Sequence, residues 1–138
     1  MKYITLILSF LIVGCSNIPV HQGHLHYEAQ KVISNSTVIW TSASFYQIDR
    51  YKFSSFYPYQ FGNISFTDQK IYVLVWKEDA EKYIISKVYQ NDSITRCHLD
   101  TALGVPYMGI EFKDNVFLTF TYRRENLPPI NCKSISNK

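Results

Sequence analysis

Beyond residue 26, hydrophobic side chains recur at every second position rather than at every third or fourth. The alternation is sharpest in residues 115–124, where Val116, Leu118, Phe120 and Tyr122 share one face and most of the polar side chains lie on the other. A period of two is typical of a strand that buries one of its faces. This segment therefore predicts a half-buried β-strand.

Other segments extend this pattern. Residues 70–77 are apolar on both faces, as expected of a central strand that is packed from two sides. Residues 83–90 follow after a charged turn, so the two segments are predicted to pair as a hairpin. Residues 37–48 and 50–57 are rich in β-branched and aromatic side chains, and a last short strand is predicted from Ile130 to Ser134.

Seven or eight short strands at intervals of about ten residues predict an all-β fold, a single antiparallel β-sandwich of immunoglobulin-like size. A small barrel is the alternative that this spacing leaves open. Only residues 79–83 favour a helix, and this segment is too short to form more than a turn. The sandwich domain is predicted to span residues 27–138.

The N-terminal segment has a different pattern. A basic start at Lys2 is followed by an apolar run over residues 3–13, which is well short of the roughly 20 residues that cross a bilayer. These features predict a cleavable signal peptide over residues 1–14. The run ends in the sequence IVGC at residues 12–15, which resembles the bacterial lipobox. An ordinary secretory signal followed by a coincidental cysteine is the alternative.

The lipobox resemblance implies that Cys15 carries a thioether-linked diacylglycerol, that the signal peptide is cut before it, and that the new N-terminus is acylated. Two or three acyl chains, at about 0.8 kcal/mol per buried CH₂ group, anchor a protein stably. Ser16 stands where an inner-membrane retention signal would often have aspartate, so the resemblance implies the inner leaflet of the outer membrane. Residues 15–26 are then the lipidated cysteine and a tether to the domain.

Composition and charge narrow the choice of partners. Without residues 1–14 the chain has thirteen basic and eleven acidic side chains, and no run of basic residues is longer than Arg123 and Arg124. This balance predicts no binding to nucleic acid. Aromatic residues make up 16% of the chain and include eleven tyrosines, which favours strands over helices.

Two cysteines remain once Cys15 is assigned to the lipid. In an exported domain, Cys97 and Cys132 are predicted to form one disulfide, which closes a loop of about 35 residues. Two free thiols are the alternative. The sequence has no Cys-x-x-Cys motif, so a thiol–disulfide exchange enzyme is not predicted.

Sequence motifs give no support for catalysis. The chain lacks the Gly-x-Ser-x-Gly and His-Glu-x-x-His motifs and a glycine-rich phosphate loop. Its acidic residues are scattered over predicted turns, and no pair of them is placed to act as acid and base. The chain is therefore predicted to be a binding protein rather than an enzyme, with no cofactor.

Three histidines near the N-terminus are candidate metal ligands. His21, His24 and His26 lie within six residues, and imidazoles at this spacing can share a zinc or copper ion, with Glu28 as a further ligand. They lie in the predicted tether, however, where no rigid frame would fix their geometry. A solvated linker is favoured and no metal site is predicted, with metal binding kept as the alternative.

The most unusual stretch is residues 45–61, in which eight of seventeen side chains are aromatic. A strand buries only alternate residues against one core, so several of these rings must lie outside it or under a second layer. Tyrosine-rich surfaces are typical of protein-binding sites. A strand that is shielded by an adjacent loop is the alternative. The candidate partner-binding residues are Tyr51, Phe53, Phe56, Tyr57 and Tyr59.

Beyond the signal peptide, the chain resembles the small periplasmic immunity lipoproteins of type VI secretion systems. The resemblance is carried by the lipobox and short tether, by the sequence HYEA at residues 26–29 opening the first strand region, and by an all-β body with two late cysteines. It implies a protein that binds a toxic effector in the periplasm and blocks its action. An adaptor lipoprotein of a secretion system, or an exclusion lipoprotein of a conjugation system, is the alternative.

Overall fold

The computed structural model describes residues 22–49 and 60–132. Within these ranges the chain forms one α-helix followed by seven β-strands. The strands make one antiparallel sheet in the order β4-β3-β2-β1-β7-β6-β5. The elements are α1 (Gln22–Val32), β1 (Trp40–Asp49), β2 (Gln60–Phe66), β3 (Lys70–Lys77), β4 (Lys82–Gln90), β5 (Ile94–Ala102), β6 (Val105–Phe112) and β7 (Val116–Thr121).

Strand β1 lies at the centre of the sheet and pairs with one strand from each half. Its residues 40–46 pair with β2, and its residues 46–49 pair with β7. The two halves face each other across one core, because Tyr89 of β4 stacks on Phe112 of β6 with 4.5 Å between ring centroids. These two strands lie in opposite halves of the sheet. The predicted all-β, sandwich-like fold is confirmed, and it is built from a single continuous sheet.

The main core lies between the two halves of the sheet. It contains Tyr46 from the central strand and large apolar residues from β2, β3, β6 and β7. In β3 the alternation is clear, because Ile71 and Val73 join this core while Tyr72 and Leu74 face the opposite side. Strand β3 is therefore packed from two sides and pairs with β4 as a hairpin, as the sequence predicts.

A second, smaller core lies between α1 and the other side of the sheet. Leu25, Ala29 and Ile33 are buried at intervals of four residues, which is the spacing of one helix face. They pack against Tyr72, Leu74 and Tyr83 of the sheet and against Val38, which lies just before β1.

The prediction that residues 26–29 open the first strand is wrong, because this segment is helical. The helix also includes residues 22–26, which the sequence places in the tether. The last strand predicted from Ile130 is likewise not formed at that residue, and residues 133 and 134 lie outside the described ranges.

The turn between α1 and β1 is held by one side chain. The amide group of Gln30 donates hydrogen bonds to the carbonyl oxygens of Ile33 and Ser36, each at 2.9 Å. Its oxygen accepts the backbone N–H of Val38, also at 2.9 Å. These bonds satisfy backbone groups of the turn that follows the helix, so they fix where the chain enters the sheet.

Candidate functional site

Most of the predicted site residues lie outside the described ranges. Cys15 precedes residue 22, and the five candidate partner-binding residues Tyr51, Phe53, Phe56, Tyr57 and Tyr59 fall between residues 49 and 60. The two ends of the aromatic segment are described. Tyr46 is buried in the main core, whereas Phe45 is 54% exposed and Phe61 is 39% exposed.

Phe45 and Phe61 form an exposed aromatic pair. They are directly opposite each other on β1 and β2, and their ring centroids are 5.3 Å apart in an edge-to-face arrangement. The pleat of β1 turns Tyr46 towards the core, so its neighbour Phe45 must face the other way. The expectation that some rings of this segment lie outside the core therefore holds at both of its described ends.

The pair lies at one end of a larger face of the sheet, which we call the outer face: Phe61 of β2 together with the side of residues 45–49 of β1, and of β7, β6 and β5, that points away from the main core. The middle of this face is buried, since Thr119 and Phe117 are each only 6% exposed. Strand register places its side chains in rows across the sheet. The first row contains, in order across the sheet, Phe61, Phe45, Thr121, Tyr107 and Asp100. In this row the Thr121 hydroxyl accepts a hydrogen bond from the Phe45 backbone N–H at 3.0 Å. The second row contains Gln47, Thr119, Gly109 and His98, and the third contains Asp49, Phe117, Glu111 and Arg96.

Polar groups on the outer face are arranged in pairs. Arg96 forms a salt bridge with Glu111, with 2.7 Å between Nη2 and Oε2, and its Nε donates to the same oxygen at 2.8 Å. The Tyr107 hydroxyl donates to Asp100 at 3.3 Å. The outer face thus combines the exposed rings of Phe45 and Phe61 with charged and polar side chains that already have partners.

The imidazole of His98 lies directly over the backbone of Gly109 on the neighbouring strand. It also meets the ring of Tyr107 edge-on, with 6.0 Å between centroids. Only a residue without a side chain leaves room for this ring. The structure places His98, half-buried, on the outer face.

Cys97 and Cys132 are joined, as predicted. They form a disulfide with 5.2 Å between the Cα atoms, and both residues are buried at the main core. The bond links edge strand β5 to the segment that follows β7. The fold therefore contains a covalent link of the kind found in oxidising compartments.

Three of the four candidate metal ligands lie within the described ranges. His24 and His26 lie exposed on α1, and His24 Nε2 is 3.4 Å from Glu28 Oε1, one helical turn away. His21 lies outside the described ranges. Within residues 22–49 and 60–132, no group of three or more histidine, cysteine, aspartate or glutamate side chains is placed to hold a metal ion.

No protein-family model, curated protein or solved structure matches the chain. Among the described residues, no helix has the length and apolar character that crossing a membrane requires.

Proposed function

We propose that the chain is a lipid-anchored periplasmic protein whose β-domain binds another protein through its outer face. The observation that carries this proposal is the exposed pair Phe45 and Phe61, because two large rings in contact with each other and with solvent form a ready hydrophobic anchor. Salt-bridged and hydrogen-bonded groups farther along the outer face would form its polar surroundings.

The partner we propose is a toxic effector delivered into the periplasm by type VI secretion, which the domain would neutralise by binding. This part rests on the resemblance to immunity lipoproteins. Attachment of Cys15 to the inner leaflet of the outer membrane would hold the inhibitor in the compartment where the toxin arrives. The Cys97–Cys132 disulfide is consistent with that compartment.

A rescue assay tests the function. The test uses a toxin gene adjacent to the gene for this chain, where one is found: cells that direct that toxin to their periplasm should survive when they also produce the chain and should die without it. Death in both cases would exclude the immunity function. If the neighbouring genes instead encode a secretion baseplate, capture of a baseplate component by the purified chain would favour the adaptor alternative.

The same assay tests the binding surface. Replacing both Phe45 and Phe61 with serine should abolish rescue, because the hydrophobic anchor is lost while the main core is untouched. Leu103→Ser is the matched control, since Leu103 is 99% exposed in the turn between β5 and β6 and its loss should leave rescue intact. Equal rescue by both variants would remove the outer face from the proposal.

A further inference from the structure

Helix α1 lies over a part of the sheet whose surface is polar. Its Cα atoms come within 8 Å of Cα atoms in β1, β2 and β4. On this side of β2 lie Asn63 and Ser65, because the alternate residues Ile64 and Phe66 join the main core. Thr41 of β1 is directly opposite Ser65 and shares this side. We call Thr41, Asn63 and Ser65 the polar floor.

The polar floor is buried, but its hydrogen bonding is incomplete. The hydroxyl groups of Thr41 and Ser65 each donate to Asn63 Oδ1 at 2.6 Å, and the two hydroxyl oxygens are 2.9 Å apart. Each of the three residues is at most 1% exposed. Within the part of the chain that the structure describes, the Asn63 Nδ2 group has no hydrogen-bond partner. A buried donor without an acceptor is destabilising, and moving α1 away would let water reach it.

Helix α1 is attached to the sheet by a short apolar stripe. Of the helix side chains that the structure describes, Leu25 and Ala29 are the fully buried ones, and Ala29 contributes a single methyl group. Ile33 adds a contact directly after the helix ends. A helix of eleven residues is marginal in water on its own, so its folding depends on this contact. The docked helix is therefore held by little apolar area over a floor that contains an unpaired donor.

The polar floor continues directly into the exposed pair Phe45 and Phe61. Asn63 is two residues from Phe61 on β2, and Ala43 is two residues from Phe45 on β1, so all four side chains point to the same side. Ala43 is directly opposite Asn63, just as Phe45 is directly opposite Phe61. The exposed pair and the polar floor are thus two ends of one face of β1 and β2, and α1 covers one of these ends.

We propose that α1 is a displaceable cover, which competes with the protein partner for this face of β1 and β2. Release of the helix extends the binding surface from the exposed pair to the polar floor and gives the unpaired amide of Asn63 access to an acceptor on the partner. The inference rests on the proposed function, which assigns the exposed pair as the anchor. The partner binds the released form better than the docked form, so the docked helix is autoinhibitory.

Hydrogen exchange in the full lipidated chain, held in detergent micelles, measures the release without any partner. Amides of residues 26–33 should exchange faster than those of β6 and β7 and with a weaker dependence on urea, because a local opening exposes little surface. Asn63→Thr should slow exchange in residues 26–33 by about tenfold, since it keeps a hydroxyl group and a similar volume but removes the unpaired donor. Its urea midpoint should not fall below that of the parent chain.

Two further variants keep the test sharp. Ala29→Gly should speed exchange in residues 26–33 by about fivefold, because glycine disfavours the helix. Ser44→Ala is the matched control, since Ser44 is 1% exposed and faces the main core from the same strand as Thr41, and it should leave this exchange unchanged. Equal exchange in α1 and in β6 and β7, or no slowing by Asn63→Thr, would overturn the proposal.

The rescue assay tests the link to binding. At limiting expression, Asn63→Thr should rescue cells more weakly than the parent chain, and Ser44→Ala should rescue them equally well. Unchanged rescue by an Asn63→Thr chain with slowed exchange would show that the helix moves without regulating binding, which overturns this inference and leaves the proposed function in place. Absence of rescue by the parent chain would instead overturn the proposed function, and exchange in residues 26–33 would still decide whether α1 is displaced.

Discussion

Tyr83 is enclosed between α1 and the sheet, where its ring meets that of Trp76 edge-on with 5.2 Å between centroids. Only 1% of the residue is exposed. Burial disfavours the charged phenolate, and the carboxylate of Glu28 adds like-charge repulsion, so the pKa of Tyr83 rises from 10.0 to about 12. The hydroxyl therefore stays protonated over a range of pH in which an exposed tyrosine ionises.

This pKa predicts a loss of stability in alkali. Below pH 10 Tyr83 is protonated in both the folded and unfolded chains, so its contribution is fully present. Between pH 10 and about 12 only the unfolded chain releases the proton, so the free energy of unfolding falls by roughly 2 kcal/mol. Urea unfolding at pH values across this range measures the fall.

Tyr83→Phe is the control for this prediction. The variant should lose less stability in alkali than the parent chain, although part of the fall should remain, because burial also raises the pKa of Tyr46 and Tyr89. Glu28→Gln should lower the pKa of Tyr83 by less than the full shift, since burial is its larger cause. Identical pH profiles for the parent and Tyr83→Phe chains would contradict the assignment.

A second prediction for single residues concerns the contact between His98 and Gly109. A methyl group on Gly109 would overlap the imidazole, so Gly109→Ala should destabilise the fold by about 1–3 kcal/mol. In a His98→Ala background most of that cost should vanish, because the overlapping atoms are gone. Denaturant unfolding of the four chains measures the coupling, and an undiminished cost in the His98→Ala background would refute it.

Gly62 differs from Gly109, because a side chain added there would meet the backbone of a neighbouring strand. A Cβ atom there would lie 2.6 Å from the backbone oxygen of Leu74 and 2.9 Å from a ring carbon of Tyr46. A strand carbonyl cannot swing aside as an imidazole can. Gly62→Ala should therefore cost more than Gly109→Ala, and no truncation of a neighbouring side chain should relieve the whole of it.

At the scale of single elements, the strands could be predicted from sequence and the helix could not. Strand β7 carries a clear period-two signal, β3 is apolar on both faces as a strand packed from two sides should be, and the charged turn before β4 marks the hairpin. Helix α1 carries two fully buried positions, Leu25 and Ala29, among many polar ones, and Ile33 directly after its end is a third buried residue. Because so few apolar residues mark the buried face of the helix, its sequence resembles that of a polar tether. The helix is stabilised mainly by packing against the sheet, which the local sequence does not show.

The importance of that packing can be measured at Leu25. Replacing this buried side chain with alanine should destabilise the domain by about 2–4 kcal/mol, because a cavity opens between the helix and the sheet. Tyr27→Ala is the matched control, since Tyr27 is exposed on the same helix and its loss should have a much smaller effect. If both substitutions cost the same, α1 is not part of the cooperative unit.

At the scale of the whole molecule, the sheet order explains why the outer face could not be predicted. Its first row joins Phe45 and Phe61 to Thr121 and Tyr107, which are more than forty residues away along the chain. Alternation shows which residues share a face of one strand, but it does not show which strands are neighbours. The sharing of β1 between β2 and β7 depends on long-range pairing, which no local pattern reveals.

The C-terminal part of the domain is tied back to the centre of the fold by two kinds of contact. Trp40 donates its indole N–H to the carbonyl oxygen of Asn126 at 3.3 Å, and the Asn126 amide donates to the carbonyl oxygen of Thr41 at 3.2 Å. The disulfide from Cys97 to Cys132 then closes a covalent loop with a sequence separation of 35. The loop contains β6, β7 and this segment, so the bond restricts about a quarter of the unfolded chain.

Reducing the disulfide should therefore lower the free energy of unfolding by about 3–4 kcal/mol in the chain-entropy model. Guanidinium unfolding of the parent chain with and without dithiothreitol measures the loss. The Cys97→Ala and Cys132→Ala double variant should unfold near the midpoint of the reduced parent and should not respond to reductant. Because the bond forms only in an oxidising compartment, chain made without residues 1–14 in the cytosol should be less stable until it is oxidised. Equal midpoints for the oxidised and reduced chains would show that hydrogen bonding and packing around Trp40 hold this segment without the covalent link.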